Sequence, residues 1–192
     1  MDGASVFARL ESLAARPATA VAIGGWAAAE AIVLPVVPDV GLCLLVIAAP
    51  RQAVRMIAAV VAGAVVGTLL LALLIGRAPD AGHAMLLALP GIDDSVIADA
   101  EIQLSRDGIL GFTQIGIGPP LKVYTSAWLG LGGDVPGLVV GSILNRLTRI
   151  GSTVLIAAVA GVWLGSWMRR HAEATLAAYV LGWVAVYAAL WT

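Results

Sequence analysis

Residues 56–76 run twenty-one positions without a charged side chain, and uncharged runs of nineteen recur at 150–168 and 174–192. A helix needs about 20 apolar residues to cross the hydrocarbon core of a bilayer. All three runs meet that length, so the chain reads as an all-α integral membrane protein of several spans, in the plasma or inner membrane. Composition agrees: 60% of the 192 residues are hydrophobic and 12% are charged, against about 25% charged in soluble domains. The formal net charge is −1 and the bases are scattered, which leaves no basic patch for nucleic acid. One cysteine, Cys43, sits in an apolar run; alone it can form neither an internal disulfide nor a metal cluster. His83 and His171 fall in polar connections and read as surface residues. No cofactor is implied. Without a metal cluster, a nucleophile–base pair or a phosphate loop in the sequence, enzymatic activity is not expected.

Two further apolar stretches are interrupted. Residues 18–50 contain Pro35, Pro38 and Asp39 and carry Glu30; residues 108–133 contain Gly116, Gly118, Pro119 and Pro120 and carry Lys122. Each reads as an apolar helix, a proline break beside a charge, and a second apolar helix. Irregular backbone at membrane depth is tolerated only where protein buries it or a wet cavity receives it. Both stretches are therefore expected to be re-entrant hairpins. Between them, 77–107 holds six acids and two bases, a net of −4, with a weak helical face at Ile97, Ala100 and Leu104. At the N-terminus, Val6, Phe7, Leu10 and Leu13 follow helical spacing among charges. This segment reads as a short amphipathic helix over 4–15 lying on the membrane surface, ended before Pro17. Asp2 and Glu11 interrupt it, and it is not expected to be a cleaved signal. The domain plan is a surface helix over 1–17, a membrane domain over 18–168 with spans at 56–76 and 136–168, and a last span at 174–192.

Arg9, Arg16, Arg51 and Arg55 flank the first hairpin, and Arg169 and Arg170 join the last two spans. The positive-inside rule places all six in the cytoplasm. The first hairpin then dips in from the cytoplasm and the second from outside, the inverted-repeat arrangement of many transporters. Gly63 and Gly67, and Gly161 and Gly165, lie four apart and would allow close helix approach. The six tryptophans read as interface anchors.

Glu30, Asp39, Lys122, Arg146 and Arg149 carry charge in otherwise apolar sequence. Each costs about 2.5–3.5 kcal/mol at the bilayer centre, a cost that facing a cavity or pairing relieves. Arg146 and Arg149 share one helical face, with Asn145 beside them. Arginine suits bidentate contact with phosphate, and a helix restarting after Pro119 and Pro120 would offer free N–H groups to an anion. Lys122, Asn145, Arg146 and Arg149 are the candidate head-group ligands; Glu30 and Asp39 are the candidate gating or proton-coupling acids. Pro35, Pro38, Gly118, Pro119 and Pro120 would make the hairpin breaks. The rival readings are arginines that snorkel at the surface, a glutamate paired only to fix packing, and prolines that merely kink spans.

The chain resembles the DedA/VTT membrane proteins, also called SNARE-associated, and in particular their YqaA-like branch. Three elements carry the resemblance: Glu30 followed by Pro35-Val36-Val37-Pro38-Asp39; Gly63 and Gly67 running to Gly76-Arg77; and Pro120-Leu121-Lys122-Val123-Tyr124 with Ala127, Gly130, Arg146 and Arg149. Asn145 stands where the family usually has glycine, and Gln114 lies near where many members have arginine. The resemblance covers about residues 20–165. It implies two opposed re-entrant hairpins and translocation of undecaprenyl phosphate or a phospholipid, in some members dependent on the proton gradient. The expected partners are the bilayer and an anionic lipid head group, with a homo-oligomer compatible. The alternatives are a proton-coupled transporter of a small solute and a non-transporting protein that supports membrane assembly.

Overall fold

The computed structural model describes residues 3–113 and 118–191, and among them every regular element is helical. Gln114 and Gly116 lie outside the described residues, as do Asp2 and Thr192. The helices are α1 (Gly3–Ala15), α2 (Pro17–Ile32), α3 (Asp39–Ala48), α4 (Ala53–Arg77), α5 (Pro79–Leu87), α6 (Asp94–Asp107), α7 (Leu121–Gly130), α8 (Val135–Arg170) and α9 (Ala172–Trp191). Three of them, α4, α8 and α9, are long and apolar enough to cross a membrane. At 1.5 Å per residue α8 is about 54 Å long, against about 30 Å of hydrocarbon.

The helix boundaries follow local chemistry. Pro17 opens α2, where its missing N–H costs nothing. Asp93 caps α6, its carboxylate accepting from Val96 N at 3.0 Å, and Asp134 caps α8 by accepting from Gly137 N at 2.9 Å. Gly108 ends α6 with φ +57°, a left-handed conformation that glycine takes at no steric cost.

α2 and α4 pack backbone to backbone. A Cβ on Gly63 would run into the Gly24 carbonyl, and one on Gly67 into that of Ala28. The Gly63–Gly67 pair is thus used inside the molecule. On α8, Gly161 receives the end of α3 at Ile47 and Pro50, whereas a Cβ on Gly165 would meet nothing within 4 Å.

The two ends of the bundle differ in charge. Arg55, at the start of α4, donates to the carbonyls of Ala14 and Ala15, the orphan acceptors at the end of α1. Arg169, at the end of α8, lies 3.4 Å from Glu11 and 3.5 Å from the Ala48 carbonyl. The start of α2 and the end of α3 therefore lie at the same, basic end. The acidic helix α6 packs at the other end, around α7 and the turn Gly108–Phe112; Phe112 in turn lies against Gly141 near the start of α8. On α1, Phe7 packs on Ala48, Ala172 and Met168 within the protein, while Leu13 stays exposed.

The stretch 108–133 differs from expectation. The described start of its first arm, Gly108–Phe112, is a 3-10 turn and not an α-helix. Gly108 turns the chain sharply, and Gly111 lies so close to Leu104 that a Cβ there would stand 3.2 Å from its Cα. The stretch folds back on α6 instead of extending. The segment 77–107 is also more ordered than a linker. It forms α5 and α6, and Ile97, Ala100 and Leu104 of its weak apolar face are buried.

The core has two parts. One gathers Ala27, Leu42, Val46, Val60, Ile150 and Val154 toward the basic end. The other gathers Ala31, Ala64, Leu104, Phe112, Tyr124 and Leu138 toward the acidic end. The handover falls between Ala27 and Ala31 on α2, between Val60 and Ala64 on α4, and between Leu138 and Ile150 on α8. Those intervals on α2 and α8 contain Glu30 and Arg146.

Candidate functional site

A cavity of about 590 Å³ opens at this level of the bundle, and its lining includes Glu30, Asp39, Lys122 and Arg149. Four elements supply them: α2, the start of α3, α7 and α8. Both breaks contribute to the lining, through Pro35 and Val37 on one side and Gly118 and Pro120 on the other. Pro38 and Pro119 stand outside the lining. Lys122 Nζ donates to the Leu34 carbonyl at 2.8 Å, which ties the second break to the first. Leu34 lies just after α2, whose last carbonyls lack helical partners, and the ammonium satisfies one of this irregular segment.

Arg146 stands outside the lining, and its guanidinium donates to the carboxylate of Glu30, a lining residue, with the two side chains 0% and 2% exposed. Arg146 has two further nitrogens, Nε and Nη1, buried without a hydrogen-bond partner among the described residues. Asn145, on the same helix, donates through Nδ2 to the Phe112 carbonyl at 3.0 Å. It holds the 3-10 turn against α8 and does not line the cavity. The expected head-group set thus divides: Lys122 and Arg149 line the cavity, Arg146 supports it from behind, and Asn145 braces a neighbouring turn.

Two lining groups have unused hydrogen-bonding capacity. Asp39 is 5% exposed, and its Oδ1 has no partner among the described residues; the same holds for Nη1 of Arg149. With three bases and two acids, the cluster of Glu30, Asp39, Lys122, Arg146 and Arg149 carries a formal charge of +1. Arg146 and Arg149 sit near the middle of α8, more than a helical turn from either end. Arg146 is 1% exposed and enclosed by the bundle. Such an arrangement can hold one anionic group, with Asp39 placed to accept a proton or a donor from the ligand. Among the described residues no group of three or more His, Cys, Asp or Glu side chains is set to hold a metal ion.

α9 contributes a wall that sequence reading missed. Tyr179, Trp183 and Tyr187 recur every four residues and share one face. Tyr179 OH donates to the Val40 carbonyl at 2.6 Å, Val37 N donates to Tyr187 OH at 2.9 Å, and Trp183 and Tyr187 line the cavity. The i, i+4, i+8 spacing was the available signal, hidden within a run that also had the length of a plain span. Two other tryptophans hold turns: Trp26 Nε1 donates to Val36 O in the first break at 2.8 Å, and Trp128 Nε1 to Asp134 O at the start of α8 at 2.9 Å. Trp163 and Trp167 stand exposed, as anchors would. The turn between α5 and α6 closes the cavity further with Pro90 and with Gly91, at φ +76°. In comparisons with protein-family models, curated proteins and solved structures, nothing matches this chain.

Proposed function

We propose that this chain moves a phosphate-bearing lipid between the leaflets of a cell membrane, in the manner implied by its resemblance to the DedA/VTT proteins. The observation that carries the reading is the meeting of Asp39, Lys122 and Arg149 around one cavity at the middle of an apolar bundle. A formal surplus of one positive charge suits an anionic head group. The lipid tail can stay among exposed apolar side chains such as Leu155 and Ile156 of α8. In this reading 18–50 and the region around 108–133 are two re-entrant units entering from opposite faces. The shared basic end of α1, α3, α4 and α8 and the Lys122–Leu34 bond between the breaks support it.

The roles are then specific. Arg149 and Lys122 contact the phosphate, Arg146 and Glu30 fix the wall behind them, and Asp39 gates access or carries a proton. Binding of a phosphate lipid and of its uncharged counterpart, compared in detergent, tests the head-group site. Arg149→Ala should weaken the phosphate lipid about ten- to a hundredfold, the loss of one charged hydrogen bond of about 1.5–3 kcal/mol. Arg149→Lys should restore part of it, because an ammonium lacks the planar fork. Equal affinity of the unaltered protein for both lipids removes the site; flux of labelled small solutes but not labelled lipid in liposomes selects the solute transporter instead.

A further inference from the structure

The cavity holds a backbone donor whose partner is unusual. Val37 lies in the break between α2 and α3, where its N–H has no helical acceptor, and Val37 itself lines the cavity. Its N–H is taken by the phenol oxygen of Tyr187, 150 residues away on α9. Asp39, 5% exposed, lies two residues further on, and Arg149 lines the same space; Asp39 Oδ1 and Arg149 Nη1 have no partner among the described residues. A neutral side-chain oxygen from a peripheral helix therefore sits on the amide of a lining residue, beside a charged cluster that, with Arg146, has a formal charge of +1.

α9 is attached lightly. Val180, Leu181 and Val184 on its remaining faces are exposed, and it meets the break through the hydroxyls of Tyr179 and Tyr187 and the ring of Trp183. The two hydroxyl contacts differ in kind. Tyr179 donates to carbonyls, that of Val40 at 2.6 Å and that of Asp39 at 3.5 Å. Tyr187 accepts from the amide of Val37, a residue of the cavity lining. An anion can replace an acceptor but not a donor.

We propose that the Val37 N–H is a subsite for an anionic oxygen of the ligand, and that Tyr187 is a placeholder that the ligand displaces from it. The proposal rests on the reading of the cavity as a phosphate-lipid site. A charged oxygen makes a shorter and roughly twofold stronger hydrogen bond than a phenol oxygen, so the phosphate wins the donor when it arrives. Displacing Tyr187 removes one of α9's hydroxyl attachments, which couples head-group capture to loosening of the wall beside it.

Phosphatidic acid and diacylglycerol of matched chains, titrated in detergent against the full chain, are the probes. Tyr187→Phe keeps the ring and removes the competing oxygen. It should tighten phosphatidic acid about three- to tenfold, the equivalent of one ordinary hydrogen bond no longer displaced, and leave diacylglycerol unchanged. Tyr179→Phe frees a carbonyl, which an anion cannot use, and should not tighten phosphatidic acid. Amide exchange at Val37 should quicken in Tyr187→Phe and slow again when phosphatidic acid is bound. Weaker or unchanged phosphatidic acid binding in Tyr187→Phe, with the unaltered protein still preferring it to diacylglycerol, overturns the placeholder and leaves the head-group site standing. No preference in the unaltered protein overturns both. Equal tightening in both variants shows general loosening of α9 and also overturns the placeholder.

Discussion

Removing one member of the Glu30–Arg146 pair should cost the protein much of its stability, whereas removing Arg149 three residues away should not. The pair is enclosed, at 2% and 0% side-chain exposure. Arg146→Met leaves the Glu30 carboxylate without its counter-ion, and breaking a buried pair in this way costs about 3–5 kcal/mol. For a chain of this length each kcal/mol moves the unfolding midpoint by about 2–4 °C, so the loss is on the order of 6–20 °C. Replacing both partners by similar uncharged volume, as in Glu30→Gln with Arg146→Met, should recover most of it, because a buried pair gains little over apolar packing. The cycle should therefore show a coupling of about 2–3 kcal/mol. Arg149→Met removes a side chain that borders open space, and its effect should stay within about 0.5 kcal/mol. Tryptophan fluorescence in detergent, heated at one fixed rate because such unfolding is often irreversible, reads all five midpoints: the unaltered protein, Glu30→Gln, Arg146→Met, the double variant and Arg149→Met. Additive single substitutions, or equal losses for Arg146→Met and Arg149→Met, would refute the division into support and ligand.

The same geometry makes Asp39→Asn the cleaner test of proton coupling, since Glu30→Gln also breaks the pair. Asp39→Asn should fold normally and lose transport or its dependence on pH, measured as lipid flux in liposomes at several pH values; normal flux throughout would make the acid structural. On a background of Cys43→Ala, Ala18→Cys and Pro50→Cys should react with an impermeant thiol reagent from the same face of sealed vesicles. Labelling from opposite faces would exclude a re-entrant 18–50. Outside the membrane, the Ser95 hydroxyl first and then the Val96 amide hold Asp93 below its ordinary value of 3.8. A depressed carboxylate stabilises above its unfolded value and stops doing so as the pH falls through the folded one. Protection of the first turn of α6, corrected for the intrinsic rate of amide exchange, should therefore fade below about pH 4 and be weak at all pH in Asp93→Ala.

The long apolar runs were legible because length and charge-free composition are local properties: residues 56–76 lie inside α4, and 150–168 inside α8. So was the company of charges and prolines, since Glu30, Asp39 and Lys122 each stand beside a break. What could not be read was direction. Arg146 and Arg149 share a helical face by spacing, yet one points behind the wall and the other into the cavity, a difference of about 60° that only the neighbours of α8 decide. The short arm at Gly108–Phe112 also escaped reading, because an apolar composition does not reveal that Gly108 will turn the chain back onto α6. Tyr187 was hidden for a third reason. Its role depends on a contact across 150 residues, and no local pattern encodes which donor an exposed-looking aromatic helix will meet.

Stability alone gives no account of the charged layer. A chain that needed only to pack would do as well with leucine and methionine at the level where Glu30 and Arg146 divide the core, since buried ion pairs seldom outperform apolar volume. Even granting the pair a role in fixing helix register, that reasoning stops at Glu30 and Arg146. It does not extend to Asp39 and Arg149, which border open space and keep a carboxylate oxygen and a guanidinium nitrogen without a partner among the described residues. Unsatisfied polar atoms in an apolar bundle are each costly, by about 1–3 kcal/mol and more for charged groups. A ligand that bonds to them recovers that cost on binding. Asp39 and Arg149 present such atoms from the lining of a cavity, where a ligand can reach them.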